Sequence, residues 1–89
     1  MAMAKTTERQ AGILLLLLQP IAENPDAAPD QTWVGEERLR GVDQRLWIVG
    51  RLINRRLAMR RQDETGRYSY RLTASGILLA RKIKKEAGF

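Results

Sequence analysis

One change of periodicity limits the fold of this chain more than any other feature. Leu46, Val49, Ile53 and Leu57 recur at helical spacing and form one stripe for burial, whereas residues 67–72 alternate with period two. Gly41-Val42-Asp43 precedes the stripe as a turn: a glycine that tolerates positive φ, an apolar anchor, and a carboxylate placed to cap the helix. After it, residues 57–61 have strand character and residues 62–66, Gln-Asp-Glu-Thr-Gly, read as a turn. Thr73 closes the hairpin and can cap a further helix. Helix, hairpin, helix is an α+β order.

The far side of the first of these helices carries Gln44, Trp47, Ile48, Arg51, Asn54 and Arg55. Gln44, Arg51, Asn54 and Arg55 can hydrogen-bond base edges or phosphates, and Arg45 adds a charge at the same end. Over residues 43–56 the helix is roughly 21 Å long, enough to lie in a major groove about 12 Å wide. Trp47 and Ile48 sit badly in a polar face, and a packed position under the second helix or the preceding loop competes with exposure for both. Gly50 falls on the buried side of the wheel, where a missing side chain permits close helix packing at up to about 1 kcal/mol in propensity. In the hairpin, Tyr68, Tyr70 and Leu72 share one face over the core, leaving Arg67, Ser69 and Arg71 to solvent or phosphate. Asp63 and Glu64 at the tip argue against deep insertion into a minor groove. Arg61 and Arg67, flanking the tip, are the better phosphate contacts.

The chain has 89 residues, room for one small domain over 1–89, with no cysteine and no histidine. The commonest general base and the commonest metal ligands are therefore missing, and no catalytic or metal site, cofactor or phosphate loop is legible. The adjacent acidic pairs Glu36-Glu37 and Asp63-Glu64 point in different directions and suit a solvated surface. The reading is not an enzyme. Sixteen Lys and Arg against ten Asp and Glu give +6, unevenly spread. Residues 1–34 are net −2, residues 35–72 net +5 and residues 73–89 net +3. A polyanion suits that asymmetry, against the plainer reading of a solubilising surface.

Residues 1–6 read as a disordered start. Thr7 and Gln10 fit a capping box, and residues 11–18 are then apolar. Lys5 and Arg9 before this run imitate a secretory signal, but Glu8 interrupts the positive region and no small-x-small site follows. The run is also too short to span a bilayer, which needs about 20 apolar residues. It reads as a buried first helix over 7–19, with no membrane partner and a cytoplasmic, nucleoid-associated location. Leu14, Leu15, Leu16, Leu17 and Leu18 place apolar groups all round that helix, so a second copy of the chain is expected to cover part of it. The last helix is a second candidate for that dimer surface. Pro20 should end or kink the first helix, with one further turn open at residues 21–23. Residues 24–32 form a loop. Residues 31–34 are open between a short strand beside the hairpin and the start of a helix. Gly35 favours strand, with a short helix over 36–40 anchored by Leu39. In the last helix Ile77, Ala80 and Ile83 make an apolar strip with Leu79 beside it, and Gly88 is a natural stop. Arg81, Lys82, Lys84 and Lys85 suit its dipole.

The segment Tyr70-Arg71-Leu72-Thr73-Ala74-Ser75-Gly76 resembles the Tyr-x-Leu-Thr-x-x-Gly segment that ends the wing in transcription regulators of the MarR and PadR families. Gly41-Val42-Asp43, Leu52, Leu57, Arg60-Arg61, Gly66 and Tyr70 fall in the same order, and the resemblance covers roughly residues 32–80. It implies a winged helix-turn-helix with three or four helices and a two- or three-stranded wing. It also implies a regulator of transcription, a repressor in most short members, bound to double-stranded DNA as a homodimer. Gln44, Arg45, Trp47, Arg51, Asn54, Arg55, Arg61, Arg67 and Arg71 are the DNA-binding candidates. The alternative is an adaptor that uses the same faces for a partner protein.

Overall fold

The computed structural model describes residues 6–26, 28 and 31–87. The expected disordered start lies outside these apart from Thr6, as do three positions of the 24–32 loop and the stop expected at Gly88. The elements are α1 (Glu8–Glu23), β1 (Val34–Gly35), one turn of 3-10 helix (Glu36–Leu39), α2 (Arg45–Asn54), β2 (Ala58–Gln62), β3 (Tyr68–Leu72) and α3 (Ala74–Glu86). The sheet is antiparallel in the order β1-β3-β2. Val34 pairs with Tyr70 on one side of β3, and Ala58 pairs with Leu72 on the other. Among the described residues the result is a small α+β fold of three α-helices and a three-stranded sheet, and the open choice at residues 31–34 resolves to a short strand over Val34–Gly35, the outcome that Gly35 favoured.

α1 begins where Thr7 Oγ1 accepts the Gln10 N–H at 3.1 Å, the first half of the capping box. Pro20 does not end the helix. It forfeits one backbone bond, and the chain continues a further turn until Asn24 N–H donates to the Pro20 carbonyl at 3.1 Å. Ile13, Leu14, Leu17, Leu18 and Ile21 enter the core. Three of the five consecutive leucines are thus covered within their own fold. Leu15 and Leu16 are half-buried and line an open groove of about 630 Å³ with Gly12, Gln19 and Lys84.

The start and the phase of α2 both differ from the sequence expectation. The left-handed residue is Gln44, at φ 56°, not Gly41, and the helix starts at Arg45 without a side-chain cap, so Asp43 does not cap it. The buried side is Ile48, Val49 and Leu52, with Ile53 half-buried, while Leu46 is 61% exposed. Ile48, about 200° round the helix from Leu46, faces the core in its place with Val49 and Leu52. At the other end Arg56 N–H donates to Ile53 O at 2.9 Å and Leu57 N–H to Leu52 O at 3.0 Å, with Arg56 at φ 60°. This is a Schellman termination with an arginine where glycine is usual. It turns the chain into β2, so Leu57 is buried beyond the helix and not as part of its stripe.

The hairpin follows its alternation, with Tyr70 and Leu72 buried and Arg71 and Ser69 on the other face. Its tip is tied by Asp63, whose Oδ1 accepts from Thr65 N–H, the Thr65 hydroxyl and Arg67 N–H at 2.9, 2.6 and 3.0 Å. Thr73 then links three elements. Its hydroxyl accepts from Gly76 N–H at 3.1 Å, capping α3, and donates to the Arg56 carbonyl at 2.7 Å. Gly76 is there because a Cβ would collide with the Leu57 carbonyl oxygen. Ala80 of α3 is buried, with Ile77, Leu79 and Ile83 packed partly against the core, as expected. Among the described residues no helix is long and apolar enough to cross a membrane.

Candidate nucleic-acid interface

With Ile48, Val49 and Leu52 inward, the outward arc of α2 is set by 100° steps: Leu46, Gly50, Asn54, Trp47 and Arg51. Leu46 and Asn54 are exposed, Trp47 is 64% exposed, and Arg51 lies with its guanidinium 5.0 Å from the Trp47 ring centre. That i, i+4 cation–π contact holds Arg51 extended along the helix surface. α2 contains no carboxylate. The choice left open for Trp47 is resolved, and the outward placing of Ile48 is corrected. Trp47 does not pack beneath another element, and Ile48, 3% exposed, belongs to the core. Gly50 is a further correction, since among the described residues nothing outside its own stretch of helix lies within 4 Å of where its Cβ would stand, so no described helix packs there.

Three more of the candidates on this helix divide by partner. Gln44 is exposed at the start of α2, its Oε1 accepting from Arg9 Nη1 of α1 at 3.2 Å. Arg45 is half-buried. Arg55 turns inward: its Nη1 donates to Gln10 Oε1 at 2.7 Å and to Thr6 Oγ1 at 3.2 Å. The second half of the capping box is thereby diverted, because the Gln10 side chain serves Arg55. Arg55 ties α2 to the start of α1 and is not part of the outward arc.

The wing arginines are also organised in a way the alternation alone did not show. The β2–β3 register sets Arg61 opposite Ser69 and Met59 opposite Arg71, so Arg61 and Arg71 are diagonal neighbours on the outer sheet face. Trp33, just before β1, lies between their reach, 4.3 Å from the Arg61 guanidinium carbon and 5.3 Å from that of Arg71. Arg71 is half-buried, and its Nε has no hydrogen-bond partner among the described residues. Arg67 is exposed next to the tip, its N–H held by Asp63. On the inner face Arg60 stacks over Tyr68 at 4.8 Å, and the buried Tyr70 hydroxyl has no hydrogen-bond partner among the described residues. Burial pushes the Tyr70 phenol above its ordinary pKa.

Two basic, aromatic-containing surfaces result: the arc of α2, and the Trp33–Arg61–Arg71 stack with Arg67 near the tip. Leu46, Gly50 and Trp33 were not singled out for these surfaces by their sequence positions. A signal for Trp33 existed, since extending the alternation of β1 backwards puts it on the arginine side of the sheet. No protein-family model, no curated protein and no solved structure matches the chain.

Proposed function

We propose that the protein is a DNA-binding transcriptional regulator of the winged helix-turn-helix type, with α2 entering the major groove and the β2–β3 hairpin lying on the neighbouring backbone. The observation that carries this reading is the outward arc of α2. A carboxylate-free helix, anchored by Ile48, Val49 and Leu52, holds Arg51, Asn54 and Trp47 out to solvent within a segment of net charge +5. Most of the affinity would come from phosphate neutralisation, with Arg61 and Arg67 at the backbone, and sequence would be read by Arg51, Asn54 and Gln44. The order of elements and the roles of Thr73 and Gly76 in joining the hairpin to α3 support the winged-helix assignment. Repression by occupying a promoter follows from the resemblance to MarR- and PadR-type regulators.

A homodimer is proposed through the outer side of α1, where Leu15 and Leu16 remain half-buried. The adaptor reading draws on one observation, the exposed apolar pair Leu46 and Trp47, and loses Ile48 to the core. A salt titration of duplex binding separates the two. Binding to DNA as proposed gives log K falling linearly with log salt, by about 0.9 for each phosphate contacted. Failure to bind duplex at low salt leaves the adaptor reading in first place.

A further inference from the structure

We infer that Arg9 of α1 sets the base preference of Gln44 at the start of α2, so that Gln44 reads a guanine rather than an adenine. This rests on the proposed entry of α2 into the major groove. Gln44 Oε1 accepts from Arg9 Nη1 at 3.2 Å, a bond between residues 35 positions apart that ties α1 to the residue before α2. A guanidinium carries donors only, so the amide atom facing it is the oxygen, and the Nε2 donors are left to face a ligand. A glutamine paired with both N6 and N7 of adenine must offer its oxygen as well as its nitrogen. With that oxygen already on Arg9, an incoming adenine N6 amino group meets positive charge where it needs an acceptor. Guanine presents acceptors alone, O6 and N7, which suit the Nε2 donors and the nearby guanidinium together.

The setting of Gln44 fits contact with a ligand better than service to its own helix. Its backbone is left-handed, φ 56° and ψ 29°, which is uncommon for a residue other than glycine, asparagine or aspartate. Such strain persists where the surrounding structure over-determines it, and it clusters at functional sites. The Gln44 side chain does not cap α2 but reaches across to α1. It is exposed, and it lines an open groove of about 590 Å³ with Arg45, Leu46 and Trp47. That groove lies at the N-terminal end of α2, the end of a recognition helix that contacts base edges. Asp43, exposed and adjacent in the chain, favours a base edge over a phosphate as the acceptor, because its carboxylate repels the charged oxygens. Arg9 acts through Gln44 and is a positioning residue.

The test begins with a duplex selected from a random-sequence pool, in which each guanine is replaced singly by adenine and by 7-deazaguanine, which lacks the N7 acceptor. The native protein should lose about five- to twentyfold in affinity on both replacements at one position, and Gln44→Ala should lose that sensitivity. Arg9→Met keeps a long helix-forming side chain without donors, and it should melt within about 3 °C of the native protein. It should bind the guanine and adenine duplexes within about threefold of each other at that position, and Arg9→Lys, a cationic donor, should restore the preference. In the free protein the Gln44 side-chain amide signals should move in Arg9→Met. A guanine preference undiminished in Arg9→Met overturns the inference and leaves the DNA-binding reading standing. An adenine at the Gln44-dependent position of the selected site does the same. Absence of duplex binding at low salt overturns both.

Discussion

α1 and α2 each carry an apolar run, eight residues over 11–18 in one and four over 46–49 in the other, and the two meet opposite surroundings. α1 packs against α2, α3 and β3, and buries Leu14, Leu17 and Leu18. α2 rests on α1 and β2 alone among its larger contacts, and leaves Leu46 and Trp47 in solvent. Apolar content is thus a guide to burial only where enough elements surround the helix. In α1 the run makes the core. In α2 it makes half a core face and half a surface that needs an explanation outside the fold.

The largest expected effect comes from truncating one leucine on each helix. Leu17→Ala should destabilise the protein by about 2–5 kcal/mol in chemical denaturation, and Leu46→Ala should change stability by no more than about 0.5 kcal/mol. Equal losses would break the comparison. The glycines sharpen it next. Gly76→Ala forces a methyl against the Leu57 carbonyl and should cost about 1–3 kcal/mol, whereas Gly50→Ala, in open space, should stabilise by about 0.5–1 kcal/mol.

The arginines of α2 divide in the same way. Arg55→Ala leaves the nearly buried Gln10 side chain without its partner and should cost about 1–3 kcal/mol of stability. Arg51→Ala should leave stability within about 0.5 kcal/mol but cost about 1–3 kcal/mol at a preferred site, chiefly in discrimination between sites. Arg67→Ala should weaken specific and random duplex alike and make the salt slope shallower by about one unit.

The smallest effect is at the hairpin tip. The Thr65 hydroxyl, then the N–H groups of Arg67 and Thr65, hold the Asp63 carboxyl below its ordinary pKa of 3.8. Because the folded value is depressed, the charged form favours the folded tip above pH 3.8, and this is lost as pH falls through the folded value. Amide signals of Thr65 and Arg67 should move together in an acid titration, and Asp63→Asn should remove that transition.

The switch from helix to hairpin and the caps at Thr7 and Thr73 were legible because each depends on residues close in sequence, whereas residues 31–34 stayed open between strand and helix because their pairing partner is Tyr70, far along the chain. The rotation of α2 was not. Four consecutive apolar residues, Leu46, Trp47, Ile48 and Val49, allow more than one buried face, and the left-handed Gln44 that sets the start is not a residue type that announces such a turn. The inward turn of Arg55 depends on Gln10, 45 positions away. The Trp33–Arg61–Arg71 stack depends on the pairing of three strands. The Gln10 partner carries no local sequence signal, and the alternation that puts Trp33 on the arginine side is readable only once β1 is known to be a strand.

Amide and indole chemical-shift mapping on addition of a short duplex tests the central claim most directly, because it reports both helices in one experiment. The account predicts shifts at Leu46, the Trp47 indole N–H, Gly50, Arg51 and Asn54, with smaller ones at Arg61 and Arg67, and little change at Ile13 or Leu17. Shifts confined to the Leu15 and Leu16 side of α1, or none at saturating duplex in low salt, would contradict it.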